Sequence, residues 1–319
     1  MLHYEPKDLS VPEVHRLLLG GVAPRPIALV STISKNGINN LSPFSFFNAF
    51  GANPPIVAFS PSRRGKDASL KDTYNNLMDT KECVIQAVTH SLVEQISLAS
   101  AEFSSDIDEF IKSGLTPINS DLIKPKRVKE SPFQMECMLI EMKSFGESGA
   151  AANLAICEVL KFHIAEDIFT NGIIDPVKID LVARMSGNYY SRAGSGVFEV
   201  EKPIGKKCIG YDRIPKHIRE SDVYSANDLG KFGNSESIPG DKEVIDFIEK
   251  IKEETLNDFE NGYDAFLRYQ RVSNHKKMLK AALSMNENRK KNLELSAKCA
   301  LNNNDMNFAW YTALFVEMI

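Results

Sequence analysis

From Ile27 to Ser34 the chain runs Ile-Ala-Leu-Val-Ser-Thr-Ile-Ser, short, apolar and rich in β-branched residues, and Lys35-Asn36-Gly37 follows as a turn signal. This pattern predicts a hairpin. Comparable runs recur at 55–60, 82–88, 135–142 and 154–164, and the last two alternate apolar and polar residues in places, as half-buried antiparallel strands do. Between them, Ser91 to Ala101 sets Leu92, Val93, Ile96 and Leu98 near helical spacing, and Asp106 to Lys112 reads as another short helix. Short strands without regular helical crossovers point to a closed antiparallel barrel rather than a doubly wound parallel sheet.

The texture changes after Tyr211. Residues 212–240, with Pro215, Pro239 and Gly240 among many Ser, Asn and Asp, read as an irregular linker. Beyond it the period becomes helical. Asp241 is placed to cap a segment whose Val244, Ile245, Ile248 and Ile251 share one face, and apolar spacing of the same kind continues through Phe266, Leu279, Leu293, Ala300 and Leu314. Four or five amphipathic helices are expected, with no internal repeat. The expected class is mainly β with α: an antiparallel β-barrel over 1–211, the linker 212–240, and a helical C-terminal extension over 241–319.

Composition narrows the chemistry. A chain of 319 residues with 43% hydrophobic side chains can bury a large core unaided. Its 38 basic and 42 acidic residues leave a formal charge of −4, so no overall positive field recommends nucleic acid or an anionic membrane as partner. Five scattered cysteines fit neither a disulfide framework nor a zinc motif, and a reducing compartment, the cytoplasm, is expected. The polar N-terminus lacks the apolar run of a signal peptide, and no apolar stretch approaches the roughly 20 residues that span a bilayer. His-Glu-x-x-His, Cys-x-x-Cys, Gly-x-Ser-x-Gly and Gly-x-Gly-x-x-Gly are all missing, so neither a metal site nor a Rossmann domain is expected. Gly65-Lys66 fails as a P-loop because Asp67 stands where a magnesium-binding hydroxyl belongs.

Two linked segments remain, Ala23–Thr32 and Asn40–Ala49. The second interleaves Phe44, Phe46 and Phe47 with Ser45 and Asn48, offering apolar surface for a planar ring and polar groups for its edge. Further on, Arg63-Arg64-Gly65-Lys66-Asp67 and Lys71-Asp72-Thr73-Tyr74-Asn75-Asn76 bring cations, a hydroxyl and free amides to a predicted helix start, a combination suited to a phosphate. Each piece has a plain alternative: the phenylalanines as core, Arg63-Arg64 as a solvated turn.

The order Arg-Pro-Ile-Ala-Leu-Val-Ser-Thr, a Gly turn, Asn-Leu-Ser-Pro-Phe-Ser-Phe-Phe-Asn, a Pro-Pro strand, Lys-Asp-Thr-x-x-Asn and Ala183-Arg184-Met185-Ser186-Gly187-Asn188-Tyr189-Tyr190 resembles the flavin reductase-like FMN-binding split-barrel family over roughly residues 10 to 210. The resemblance implies a split barrel, a homodimer, and FMN held without a covalent bond. Carried over, it implies that Ser31, Thr32, Ser45, Phe46, Phe47 and Asn48 line the ring and ribityl chain, and that Ser60, Arg63, Lys71, Asp72 and Thr73 surround the phosphate. Asp72 would cap a helix or orient Lys71 rather than meet the phosphate by charge. Arg184, Gly187 and Tyr189 match the late motif, although Met185-Ser186 replaces the Leu-Gly usual there. His163, Arg184 and Tyr189 are the candidate catalytic residues. Each has a structural alternative: a buried histidine, a barrel-closing ion pair and a core aromatic.

The activity implied is an NAD(P)H:flavin oxidoreductase with NADH or NADPH as donor, in which the reaction chemistry is mostly the cofactor's. Reduced flavin could then pass to a partner oxygenase, to ferric iron or to dioxygen. The alternative is a flavin carrier or redox-sensing FMN-binding protein without turnover. A third reading gives the main role to the helical extension as an interaction module; its mixed charges suit a solvated bundle better than a nucleic-acid surface.

Overall fold

The expected hairpin forms. In the computed structural model, which describes all 319 residues, Ala28–Ile33 pairs antiparallel with Asn39–Phe44 in a register running from Ala28↔Phe44 to Ile33↔Asn39. Gly37 adopts φ +81 in the connecting turn, a conformation open to glycine at little cost. By contact, the chain divides into two units, Met1–Glu199 and Val200–Ile319.

The first unit carries all the strands: β1 (Arg25–Pro26), β2 (Ala28–Ile33), β3 (Asn39–Phe44), β4 (Phe47–Ala52), β5 (Pro55–Phe59), β6 (Glu82–Gln86), β7 (Pro117–Ile118), β8 (Arg127–Val128), β9 (Phe133–Ser144), β10 (Asn153–Ile164), β11 (Phe169–Thr170), β12 (Ile173–Ile174), β13 (Val182–Arg184) and β14 (Tyr190–Arg192). Seven form one antiparallel sheet in the order β3-β2-β6-β9-β10-β5-β4. Its two edge strands, β3 and β4, are consecutive in the chain and separated only by Ser45 and Phe46. The sheet must therefore curl until its edges meet, and because β3 and β4 share no ladder the barrel is split at that point. A smaller sheet, β1-β13-β14, ties the start of the unit to its end.

Strand β2 reads as a continuous apolar run because both its faces are covered. Ala28 and Val30 join the barrel interior with Phe44, Phe59, Met135 and Val159, while Leu29 joins a second cluster with Leu41, Ile96, Phe110 and Val128. The interior also holds Cys83, Cys137 and Cys157. Hydrogen bonding among these thiols and burial raise the pKa of Cys83 and Cys157, so both stay protonated.

Four helices decorate the barrel: α1 (Val11–Gly21), α2 (Asp72–Thr80), α3 (Val93–Leu98) and α4 (Glu109–Ser113). Helix α1, not among the expected elements although Val11, Val14, Leu17 and Leu18 fall at helical spacing, begins where the Ser10 N–H donates to Glu13 Oε2 at 2.8 Å. Helices α3 and α4 realise the two expected short helices, the second capped by Asp108, whose Oδ1 accepts from Phe110 N–H at 2.8 Å.

The second unit corrects the expected boundaries. Residues 212–240 are not an irregular linker: they hold α5 (Lys216–Arg219) and α6 (Ala226–Gly233), and bury Ile214, Ile218, Tyr224, Leu229 and Phe232 in one core with the helices that follow. Those are α7 (Asp241–Glu253), α8 (Tyr263–Arg271), α9 (His275–Leu283), α10 (Arg289–Asn302) and α11 (Met306–Phe315). Pro215, Gly233 and Pro239 punctuate short helices here rather than a loop. Gly233 sits in close packing, where a Cβ would lie 3.3 Å from the Gly210 backbone. At the start of α7 the N-cap is Gly240, whose N–H donates to Glu243 Oε2 at 2.8 Å, and Asp241 occupies the first helical position instead of the cap. Phe232 packs edge-on against Trp310 with ring centroids 4.6 Å apart, and Trp310 Nε1 donates to Ser235 Oγ at 2.8 Å.

Candidate functional site

The seam of the barrel is where the two singled-out segments meet. Leaving β3, the chain crosses from one sheet edge to the other through Ser45 and Phe46, and the Phe46 carbonyl accepts from Ser60 N–H at 2.9 Å, tying the crossing to the end of β5. Phe47 stands opposite Phe59 and Asn48 opposite Ala58 in the β4–β5 ladder. Phe47 and Asn48 line a cleft of about 680 Å³ whose other walls include Ile27, Phe133, Phe162 and Val182. Phe46 is partly exposed at the seam.

Beyond β5 the chain forms a cationic recess. Ser60 and Ser62 hydroxyls lie 2.9 Å apart. Arg63 donates through Nη1 to the Ala68 carbonyl at 2.9 Å, and its buried Nε has no partner. Arg64 donates to the Leu70 carbonyl at 2.6 Å and stands 3.6 Å from Asp72 Oδ2. Lys71 Nζ lies 5.1 Å from the centre of the Phe44 ring. Burial first, and Arg64 second, lower the Lys71 pKa below its ordinary 10.5, against a smaller opposing pull from Glu102. Lys71 is itself the N-cap of α2, with Asp72 in the first turn, so Asp72 is not the cap expected from the sequence. The amides opening α2 have no intrahelical acceptors and add to the positive potential. The loop that carries these groups is held by the β9–β10 hairpin: Arg63 N–H donates to the Ala151 carbonyl at 3.0 Å, Asn153 Nδ2 to the Pro61 carbonyl at 3.2 Å. Contact there is so close that a Cβ on Gly149 would lie 2.6 Å from the Gly65 carbonyl oxygen.

Three of the expected contact residues face inward instead. Thr32 is 0% and Thr73 1% exposed, and both donate to Asn40 Oδ1, at 3.1 and 2.8 Å. Asn76 Nδ2 donates to Thr32 Oγ1 at 3.0 Å, while Asn40 Nδ2 and Leu41 N–H donate to the Glu109 carboxylate at 3.2 and 3.0 Å. This buried network fastens α2 to β2, β3 and α4, so Thr32 and Thr73 brace the recess from behind. Ser31, on the other face of β2, is buried and donates to the Lys126 carbonyl. Burial raises the Glu109 pKa despite these donors.

The candidate catalytic residues are not gathered in one place. Arg184 lies over the Tyr190 ring at 4.5 Å and donates to the Gly187 carbonyl at 2.7 Å, an arrangement without the ion pair considered from sequence. Tyr189 is 75% exposed and is no core aromatic. His163 follows Phe162 along β10 and so points away from the cleft that Phe162 lines; its Nε2 lies 2.7 Å from Glu136 Oε1.

One residue that the sequence did not single out connects these parts. Arg25, only 3% exposed, donates through Nη1 to the Leu19 and Val22 carbonyls, both at 2.7 Å, and through Nη2 to the Met185 carbonyl at 3.0 Å, while its Nε approaches Ser45 Oγ at 3.5 Å. It thus joins α1, the late motif and the seam. Its place in the Arg-Pro-Ile run was visible, but partners up to 160 residues away were not.

An antiparallel barrel, split where β3 passes into β4, defines the class. Residues 20–181 match the family described as flavin reductase like domain, and the chain belongs to that family. An uncharacterized protein of Halalkalibacterium halodurans is 35% identical over 200 residues, 62% of this chain and 95% of that one. Among solved structures, nitrilotriacetate monooxygenase component B from Bacillus cereus is similar at 33% identity with a TM-score of 0.59, covering 63% of this chain and 98% of that one. A split-barrel protein from Shewanella frigidimarina is similar at 25% identity with a TM-score of 0.55, covering 63% and 100%. The family match ends before the helical unit begins. No helix is long and apolar enough to cross a membrane.

Proposed function

We propose that this protein binds FMN at the barrel seam and acts as an NAD(P)H:flavin oxidoreductase. One observation carries the reading: Arg63, just after the paired Ser60 and Ser62 hydroxyls, and Lys71, at the opening of α2 and over Phe44, are cations with no carboxylate in ion-pair contact. A phosphomonoester fits that recess by charge and donor set. Ser60, Arg63, Lys71 and the first amides of α2 would hold the phosphate; Ser45, Phe46, Phe47 and Asn48 would flank the ring. Bound FMN supplies a hydride-accepting centre, and NADH or NADPH is the donor.

The chain's own contribution is positioning. Arg25 ties the Met185 carbonyl to α1 and approaches Ser45, the Thr32–Asn40–Thr73 network fixes α2, and the apolar cleft beside Phe47 borders one side of the seam. Pairing into a homodimer is part of the proposal, supported by the unpaired edge strand β4 with Phe50 68% exposed. The free thiols suit the cytoplasm.

Anaerobic titration tests the reading. FMN is added to the purified protein, followed by NADH and then NADPH, with absorbance recorded throughout. Flavin bands that appear bound and then bleach establish the reductase and its donor. Bound flavin that stays oxidised with both donors establishes the carrier or sensor reading instead, and failure to bind FMN removes the proposal.

A further inference from the structure

On the sheet face opposite the cleft, β9 and β10 carry a second group of polar side chains that the seam does not use. Glu136, 0% exposed, accepts from Asp121 N–H through Oε1 and from Leu122 N–H through Oε2, each at 2.7 Å. The same Oε1 lies 2.7 Å from His163 Nε2. The Asp121 carboxylate, held beside Glu136 by that backbone bond, pairs through Oδ2 with Lys161 Nζ at 2.6 Å. One donor atom from each of Asp121, Glu136 and His163 lies within 4.8 Å of the other two.

We propose that Asp121, Glu136 and His163 form a binding site for a divalent transition-metal ion of the zinc class. The donor set is one imidazole nitrogen and two carboxylates, which favours zinc over magnesium or calcium because a hard cation gains little from imidazole. Glu136 is already oriented by two backbone N–H groups, the outer support that metal-binding carboxylates require. Three protein ligands leave a fourth position for water. Charge sets the competition: the Asp121 carboxylate is already paired with Lys161 at 2.6 Å and feels Arg127 and His163 as well, so a dication must displace the exposed Lys161 ammonium to bind. No linear motif announces the site, since its ligands come from a loop and two strands and only the sheet brings them together.

The ion would fasten the segment around Asp121 to the barrel. That segment is otherwise held by side chains from neighbouring strands: Glu82 Oε2 accepts from Lys124 N–H at 2.9 Å, Gln86 Oε1 from Val128 N–H, and Ser31 donates to the Lys126 carbonyl. With one position left to water the site is not a closed structural zinc site, but an ion there would still link this segment to both strands, on the sheet face away from the flavin seam.

The test uses full-length protein stripped with a chelator and titrated with zinc chloride by calorimetry, with cobalt(II) absorption as a probe of ligand type. The expected result is one zinc bound per chain, with cobalt bands of nitrogen and oxygen ligation and no thiolate charge-transfer band. Asp121→Asn and His163→Ala should each weaken zinc binding at least about tenfold. Lys161→Met, which removes the competing ammonium, should tighten it by about tenfold. If His163→Ala fails to fold, the two exposed-pair variants, at Asp121 and Lys161, still decide. Absence of zinc binding, a thiolate band, or zinc affinity indifferent to both exposed-pair variants overturns the proposal.

Discussion

Replacing Lys71 by Met separates the cost of burying a cation from its use. In the flavin-free protein the ammonium is partly desolvated, lies over Phe44 and has no carboxylate partner, and its lowered pKa records that penalty. Methionine keeps the apolar stem and removes the charge, so the flavin-free variant should be within about 1 kcal/mol of the parent, on the stable side. Flavin binding should respond the other way. A charge-assisted bond to phosphate is worth about 1.5–3 kcal/mol, which corresponds to a roughly 10- to 150-fold rise in the Kd for FMN. Riboflavin, which lacks the phosphate, should bind both proteins alike. Because the folded-state pKa lies below 10.5, the unfolded chain holds more protons in the window just under that value, and the parent should gain stability as pH rises through it. The variant should lose this gain. Fluorescence titration with FMN and riboflavin, together with urea unfolding across alkaline pH, reads all of these quantities. Equal losses for FMN and riboflavin, or unchanged FMN affinity, would refute the assignment of Lys71 to the phosphate.

Thr73→Val removes one donor to Asn40 and should cost about 1 kcal/mol in urea unfolding while leaving the Kd for FMN within about threefold, since the hydroxyl braces α2 from inside; a loss like that of Lys71→Met would show instead that it reaches the phosphate. Gly149→Ala forces a Cβ toward the Gly65 carbonyl and should destabilise the protein by about 1–3 kcal/mol and weaken FMN binding with it, as measured by thermal shift and titration. Phe232→Ala should destabilise the second unit by about 3–5 kcal/mol, visible in the emission of Trp310, the single tryptophan; an unaffected melt would mean that residues 212–240 are not part of that core.

The hairpin, the succession of strands and the helical end of the chain were legible because each depends on local period and turn chemistry. The phenylalanine-rich crossing and the Arg63–Lys71 cluster were legible as types of surface. What the chain could not disclose was facing. Ser31, Thr32 and Thr73 look alike as hydroxyls in suitable motifs, yet all three are buried, because Lys126 and Asn40 receive their hydrogen bonds. Arg25 was hidden for the same reason, its acceptors lying in α1 and the late motif. At 212–240 proline and glycine read as loop signals, whereas Gly233 serves close packing against Gly210 and the intervening helices are too short to show a period. His163 stood in a strand as expected, but only the neighbouring strand and the loop over it show that it belongs with Glu136 and Asp121.

The three interior thiols give the barrel a built-in clock. A thiol reacts with an alkylating reagent as thiolate, and Cys83 and Cys157 are both sealed from solvent and held protonated. Modification must wait until β6, β9 and β10, the middle of the seven-stranded sheet, come apart. Cys208, partly accessible in the second unit, reacts without that delay and supplies the reference within the same molecule. Mass spectrometry of peptides from briefly labelled protein would therefore time barrel opening directly, and any ligand that grips the seam would be seen as a slower clock, whether or not it has colour.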